Sequence, residues 1–254
     1  MSVRLNLPAI CFGLLLLAVW EIGARAAANP FFPTLEAIAA AFIANAGAIS
    51  AQIMETLRRA AIGLGIACAI MIPLGAAIGR VKLLGDIFEP IVNMLRPLPP
   101  PAVAPIALLF AGVGDGGKIA MIVFTCSFPI LIGAIEGVRA NHPMLINIAR
   151  SLRLSKLETI ALIDLPSALP VIMTGIRLAV AAALLVSVVA EMLLTTNGIG
   201  VYLLRSQENF RIADGLAGVI AVAVVGFLVN YLFLRFDRKI LAWHYATTGD
   251  GAHH

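Results

Sequence analysis

Charged residues are scarce in this chain of 254 residues, since Asp, Glu, Lys and Arg together make up only 13% of it. A soluble domain carries about 25% charged and about 45–50% apolar residues, whereas 61% of this chain is hydrophobic. That excess cannot be buried in a core bounded by water, which excludes a soluble enzyme and a disordered chain. The composition predicts an all-α, polytopic membrane protein.

Cysteine and histidine are also rare, with 3 Cys and 4 His in the whole chain. Cys11, Cys68 and Cys126 all fall inside apolar runs, where a free thiol acts as a small hydrophobic group. Three scattered thiols form neither a disulfide framework nor a metal site, and the apolar runs hold no cluster of side chains suited to catalysis. We therefore expect no catalytic, metal-binding or cofactor-binding residues in this chain.

Long apolar runs, by contrast, are frequent. A spanning helix needs roughly 20 mostly apolar residues, and about six such runs are predicted at about 7–27, 57–79, 91–113, 118–138, 170–194 and 216–236. Between them, 28–56 is expected to be an outer connection with a short interfacial helix, and 80–90 a brief inner turn. The runs leave no space for a second folded unit, so residues 1–254 are predicted to form a single transmembrane domain.

The distribution of Lys and Arg predicts the orientation of the chain. A net charge of +4 would suggest nucleic acid as a partner of a soluble protein, but in a membrane protein positive residues near the span ends stay cytoplasmic. With the N-terminus inside, the inner segments carry eleven Lys and Arg and the outer segments six. Both termini are therefore expected to be cytoplasmic. The sequence Ala24-Arg25-Ala26 resembles a signal-peptide cleavage site, but the long apolar run before it favours a retained span.

The longest inner segment, 139–169, is predicted to contain two short helices. In the first, one apolar face alternates with a polar face; the apolar face comprises Met144, Leu145, Ile148, Ala149 and Leu152. Ser155 and Glu158 have the spacing of a capping box, so a second helix should start at about Lys156. It should stop near Leu165, because Pro166 disfavours helical geometry in the residue before it, and Pro170 should then open the fifth span.

Two functions fit this amphipathic helix-turn-helix. It could lie on lipid headgroups with Arg150, Arg153 and Lys156 toward anionic lipid, or it could be a docking site for a cytoplasmic partner. Helical periodicity alone leaves both open.

The same segment resembles the "EAA" loop of ABC importer permeases, whose pattern is Glu-Ala-Ala-x-x-x-Gly, about nine residues, then Ile-x-Leu-Pro. Here Asn147-Ile148-Ala149-Arg150-Ser151-Leu152-Arg153 corresponds to its start and Ile163-Asp164-Leu165-Pro166 to its end. Further stretches, in the right order over roughly residues 50–240, are similar to the taurine, nitrate and alkanesulfonate branch: Thr56-Leu57-Arg58-Arg59, Leu95-Arg96-Pro97-Leu98-Pro99-Pro100, Gly175-Ile176-Arg177-Leu178-Ala179 and Val189-Ala190-Glu191-Met192-Leu193.

Two residues depart from the family pattern, because Asn147 stands at its Glu and Arg153 at its Gly. Only glycine adopts left-handed backbone geometry freely, so Arg153 is not expected to serve as the pivot of the turn. Either the turn is made differently, or the partner ATPase has a matching acidic groove.

The resemblance implies a permease subunit of an ABC importer in the bacterial inner membrane, carrying a small polar or anionic solute such as taurine, an alkanesulfonate or nitrate. It implies two cytoplasmic ATPase subunits that bind ATP and Mg, a periplasmic solute-binding protein, and a second permease copy, usually identical, although a heterodimer stays open. The residues expected to contact the ATPase are Asn147, Ala149, Arg150, Leu152, Arg153, Leu154 and Ser155. The chain itself would not be an enzyme.

One motif competes with that interpretation. Residues 112–118 match the phosphate-loop pattern G-x-x-x-x-G-K, but Ile119 stands where Ser or Thr would hold magnesium. The flanking segments are predicted spans, whereas a phosphate loop needs a strand before it and a helix after it. We expect the glycines to form a tight turn.

Five residues are candidates for the translocation pathway. The prolines of 96–105 predict a broken helix, and irregular backbone at membrane depth is buried in protein or lines a cavity. Arg96, Pro99 and Pro100 are therefore candidates for the pathway. The alternative is a kinked span that has no role in transport. Arg177 is expected about 10 Å deep in the fifth span, where it is either a snorkelling or paired side chain or part of an anion pathway. Glu191 could shape a gate or pair with Arg205 or Arg211.

The main alternative to an ABC permease is an ATP-independent secondary transporter of a small solute. That class shows internal repeats with paired broken helices, and the proline-broken third span has no convincing counterpart here. A channel filter or charged ring is not evident either.

Overall fold

The computed structural model describes residues 7–27, 29–112, 114–194 and 196–243. Within these ranges the regular structure is entirely helical: α1 (Leu7–Ala27), α2 (Leu35–Arg80), α3 (Lys82–Leu95), α4 (Pro100–Ala111), α5 (Asp115–Arg139), α6 (Pro143–Ser151), α7 (Lys156–Thr159), α8 (Leu165–Leu193), α9 (Ile199–Glu208) and α10 (Ile212–Ile240). A π-helical turn, Ile160–Asp164, joins α7 to α8. The prediction of an all-helical fold is confirmed.

Five helical segments in this part of the chain are long and apolar enough to cross a membrane, namely α1, α2, α5, α10 and the continuous Lys156–Leu193. The pair α3 and α4 meets the same criterion when taken together, with a bend of 105° between its two helices. The number of spans is therefore six if the bent pair is one broken span, which agrees with the predicted number.

The helix α2 differs most from the prediction. Residues 28–56 were expected to be a connection, yet α2 runs without a break from Leu35 through the predicted second span. Thr34 caps its start, because its Oγ1 accepts a hydrogen bond from Ala37 N at 3.2 Å. Eight of the 22 residues 35–56 are Ala, the best helix former. The 46 residues of α2 correspond to about 69 Å, more than twice the thickness of about 30 Å of the hydrocarbon layer.

The third span is broken as predicted, but the broken segment is shorter than the predicted residues 96–105. Residues 80–90 do not form a turn, since α3 begins at Lys82 and continues to Leu95. The break covers 96–99, and α4 resumes at Pro100, where the missing N–H of proline leaves no hydrogen bond unmade. A turn with positive φ at Gly112 and Gly114 then leads into α5. The predicted glycine turn is confirmed for these two residues, whereas Gly116 and Gly117 already lie in α5.

The core lies where α5 packs between α2 and α8. Small residues let the backbones approach closely: a Cβ on Gly175 of α8 would lie 2.4 Å from Pro129 O, and one on Gly75 of α2 would lie 2.5 Å from Ala134 Cβ. The helix α1 lies apart from this core, with most of its apolar side chains exposed. Two hydrogen bonds join the end of α1 to the start of α2. Trp20 Nε1 donates to Pro33 O at 3.1 Å, and Leu35 N donates to Glu21 Oε2 at 2.8 Å.

The fifth span begins earlier than predicted. The helix from Lys156 does not stop near Leu165, and Pro170 lies inside α8 and does not open it. The π turn is the reason, because Leu165 N donates to Ile160 O. This wider turn changes the backbone register ahead of Pro166 and lets the proline fall in the first turn of α8.

Candidate functional site

A buried ionic network joins α2 to α8 at one end of the bundle, which we call the Arg59 end. Arg59 and Glu191 are both completely buried, and Arg59 Nη1 donates to Glu191 Oε1 at 2.8 Å. Thr56 Oγ1 lies 2.9 Å from each oxygen of the same carboxylate, and Gly200 N donates to Oε2 at 3.0 Å. Buried charges are costly unless they are paired and hydrogen-bonded, and the Glu191 carboxylate meets both conditions.

The loop before α9 closes over this carboxylate. Gly198 has φ +115°, and a Cβ at this position would lie 2.0 Å from Glu191 Cδ, so only glycine fits. Gly198 N donates to Gln52 Oε1 at 2.6 Å, and the Asn197 carbonyl accepts from Arg59 Nη1 at 3.2 Å and from Lys118 Nζ at 3.0 Å. The loop is therefore fixed by α2 and α5 together.

The network also holds the start of α5. Arg59 Nε donates to Asp115 Oδ1 at 2.6 Å, and the fully buried Lys118 bonds Thr196 and Asn197. Lys118 is the lysine of the phosphate-loop pattern, and the element before it is the helix α4, which rules out the strand–loop–helix arrangement of a nucleotide site. The pairing expected for Glu191 was wrong, because Arg211 bonds Asp214 and Arg59 bonds Glu191.

A second polar network lies at the opposite end, which we call the Arg80 end. Asp164 is 1% exposed, with Arg80 Nε at 3.6 Å from its Oδ2 and Asn141 Nδ2 at 3.2 Å from its Oδ1. Ser167 Oγ donates to Asn141 Oδ1 at 2.7 Å. Arg59 and Arg80 are separated by 21 positions of α2, or about 32 Å. That distance is comparable with the hydrocarbon thickness, so the two networks lie about one membrane thickness apart.

The predicted coupling segment lies at the Arg80 end. The capping box is present, because Ser155 N donates to Glu158 Oε2 at 2.7 Å and Glu158 N to Ser155 Oγ at 3.3 Å. Arg153 has φ +52°, and Leu154 N donates to Ala149 O at 3.0 Å, the bond that closes a Schellman motif. The expectation that Arg153 could not be the pivot was wrong, because the turn forces it into the left-handed region.

The face presented by this segment is largely apolar. Met144, Ile148 and Leu152 are 65%, 43% and 64% exposed, and Asn147 is exposed beside them. Ala149 points inward, at 3% exposed. Of Arg150 the structure describes only the backbone, so the position predicted for its side chain lies outside the described part.

Two of the predicted pathway residues line one pocket of about 380 Å³. The pocket lies between α5, α8 and the break that follows α3. Arg96 and Pro100 lie on its wall, opposite Thr174 and Leu178 of α8, and Pro99 belongs to the break itself. Glu191 is not near them, because it belongs to the closed network at the Arg59 end.

Arg177 lies next to this pocket and is exposed. It follows Asp164 by 13 positions and precedes Glu191 by 14, so it lies midway between the two networks, about 20 Å along the helix from each. Because α8 begins at Leu165 and not at residue 170, Arg177 lies about 18 Å into this helix, whereas the sequence predicted about 10 Å. Its guanidinium has no hydrogen bond or ion pair with the described residues. A charge at this depth is too costly to face lipid and faces protein or a watery cavity.

The structure combines helices of membrane-spanning length with a broken span. It also has a charged side chain exposed at mid-depth and an exposed apolar turn at the Arg80 end. These features define a transport protein rather than an enzyme. The chain belongs to the family of binding-protein-dependent transport system inner membrane components, whose family model matches residues 61–242. It is thus a multi-pass permease of the ABC importer class.

Comparison with individual proteins supports the same family. The taurine transport permease TauC of Escherichia coli is 30% identical over 194 residues, covering 76% of this chain and 70% of that protein. The nitrate import permease NrtB of Synechococcus elongatus is 36% identical over 192 residues, covering 76% of this chain and 67% of its own length. An inward-facing structure of the methionine ABC transporter MetNI matches with a TM-score of 0.66 and 15% identity, over 75% of this chain and 95% of that one. This last match supports the fold.

Proposed function

We propose that this chain forms the translocation pathway of a bacterial inner-membrane ABC importer for a small oxyanion-bearing solute. Its relatives are named for taurine, aliphatic sulfonates, nitrate and bicarbonate, which are all small and carry an oxyanion group. A periplasmic binding protein would deliver the solute, and two cytoplasmic ATPase subunits would bind ATP and Mg. The observation that carries the proposal is the exposed apolar turn between α5 and α8.

This turn is suited to dock an ATPase. Met144, Ile148 and Leu152 are exposed although they share one helical face, and such a face is stable in water only when a partner covers it. The turn continues directly into α8 through the π segment, and Asp164 and Arg80 join it to α2. Movement of the docked turn would therefore be transmitted to both helices. Contact with lipid headgroups is the competing role.

The pathway would run along the exposed face of α8. Arg177 supplies a positive charge at mid-depth, Arg96 lies near the Arg80 end, and Pro99 and Pro100 hold the break open beside the pocket. A second permease copy would supply the facing wall, since one chain exposes this charge on its surface. Glu191 would close the Arg59 end, which the predicted orientation places on the outside with both termini in the cytoplasm.

The test is co-purification in mild detergent from the native host, with the bound proteins identified by mass spectrometry. We expect wild-type protein to retain the ATPase with two permease copies per complex, and Leu152→Glu to lose it while remaining folded by size-exclusion chromatography. Lys82→Glu is the matched control, because Lys82 is exposed at the same end and lies outside the turn. Absence of an ATPase, with solute uptake driven by an ion gradient, would favour a secondary transporter.

A further inference from the structure

A second pocket, which we call the α9 pocket, lies beside the buried network at the Arg59 end. It has a volume of about 270 Å³ and lies between α2, the loop before α9, α9 itself and the segment before α10. Eight of its ten lining residues have polar side chains, which is unusual in a chain that is 61% hydrophobic. Such a pocket is built for a polar ligand.

The charge on its wall is positive. Arg205 is exposed, and its guanidinium has no partner among the residues that the structure describes. Arg211 forms an ion pair with Asp214, whose other oxygen accepts from Asn45 Nδ2 at 2.9 Å. No carboxylate belongs to the described lining, so a cation would find no ligand of opposite charge there.

Two neutral groups on the wall can donate a hydrogen bond to a ligand. Tyr202 Oη is buried beside Ser206, and burial raises the pKa of its phenol, which therefore keeps its proton at neutral pH. Gln52 Oε1 already accepts from Gly198 N at 2.6 Å, which leaves the Gln52 amide NH2 as a donor. A ligand that accepts hydrogen bonds would engage both of these donors.

We propose that the α9 pocket binds the oxyanion group of a free small solute, such as a carboxylate, sulfonate or nitrate. Arg205 is its charge partner, since a guanidinium fork matches the paired oxygens of these groups. Tyr202 and Gln52 are the neutral donors. We infer that this site is the first to bind the solute after the binding protein releases it, and this part of the inference rests on the proposed function.

The pocket also shares three residues with the closed network, namely Gln52, Thr196 and Asn197. Gln52 holds Gly198, and Asn197 accepts from both Arg59 and Lys118. A bound oxyanion would therefore contact the loop that covers Glu191, which links occupancy of the α9 pocket to the closure of the Arg59 end.

Direct binding to the purified permease tests this site without requiring transport. Binding of radiolabelled taurine and of radiolabelled sulfate is measured by scintillation proximity in nanodiscs. Unlabelled nitrate serves as a charged competitor, and unlabelled urea serves as an uncharged one. We expect saturable binding of at least one oxyanion, with affinity reduced about tenfold by Arg205→Gln and about threefold by Tyr202→Phe. Arg205→Lys should restore part of the loss. Arg235→Gln, the same change near the far end of α10, should have no effect.

Two outcomes would overturn the proposal. Unchanged affinity in Arg205→Gln would place the anion elsewhere. Absence of saturable binding, combined with weaker docking of the binding protein to Arg205→Gln, would assign Arg205 to a carboxylate of that protein. Failure of ATPase co-purification would refute the proposed function but would leave the binding result standing, so the two can be distinguished.

Discussion

Arg59 and Glu191 form an ion pair of 2.8 Å between Nη1 and Oε1 in which neither side chain is exposed. They are 132 positions apart in the sequence, and their pairing joins α2 to α8 at the Arg59 end of the bundle. Because Asp115 and Asn197 bond the same guanidinium, the pair also connects α5 and the loop before α9. Any movement of α8 away from α2 must break it.

Removing one member of this pair should destabilise the protein strongly. We expect Glu191→Ala to cost about 3–5 kcal/mol, because the Arg59 guanidinium is left buried with fewer partners. The measurement is thermal unfolding of the purified permease in detergent. Arg58→Ala is the matched control: its side chain is 51% exposed, so loss of its ion pairs with Glu55 and Asp115 should cost about 1 kcal/mol or less. Equal losses in the two variants would contradict a buried network.

Gly198 should tolerate no side chain. In Gly198→Ala the new Cβ would overlap Glu191 Cδ at 2.0 Å, and the backbone would keep φ +115°, so either the loop or the carboxylate must move. We expect little monodisperse protein and a lowered Tm. Gly65→Ala is the control, since nothing lies within 4 Å of a Cβ there and alanine favours a helix. Normal behaviour of Gly198→Ala would refute the close contact.

The parts of the structure that could be predicted depend on local patterns. Ser155 and Glu158 lie three positions apart, so the capping box is visible in the sequence, and the apolar runs give the spans. The pairing of Arg59 with Glu191 depends on tertiary packing, and no local pattern indicates it. The stop expected before Pro166 was wrong because a π turn accommodates the proline, and Arg153 adopts a left-handed conformation because the Schellman turn determines its backbone.

The conformation of Arg153 leads to a test of the turn itself. Arg153→Gly should stabilise the turn by up to about 1 kcal/mol, since glycine adopts positive φ without a steric cost, and it should keep ATPase binding if the backbone is what matters. Arg153→Val should weaken that binding, because a β-branched residue is poorly suited to this region. Co-purification with the ATPase provides the measurement. Loss of binding in both variants would show instead that the guanidinium is itself required.

Reversing the charge of the turn tests the docking role against the lipid role. Arg150→Glu combined with Arg153→Glu should dissociate or uncouple the ATPase while the permease remains folded, because the partner surface would then meet two like charges. The measurements are co-purification and solute-stimulated ATP hydrolysis, with Arg235→Glu combined with Arg238→Glu as a charge-matched control elsewhere. Unchanged assembly and hydrolysis would favour contact with lipid headgroups.

Arg177 provides the test of the pathway. Arg177→Ala should reduce solute uptake by at least about tenfold at constant expression and ATPase assembly, because an anion at mid-depth would lose a positive charge that is not paired with the described residues, and Arg177→Lys should retain part of the uptake. Leu185→Ala is the control for lost volume, because Leu185 is exposed on the same helix and lies outside the pocket next to Arg177. If Arg177 instead held the fold together, Arg177→Ala would lower the Tm and the yield together with uptake. Normal uptake in Arg177→Ala would exclude it from the pathway.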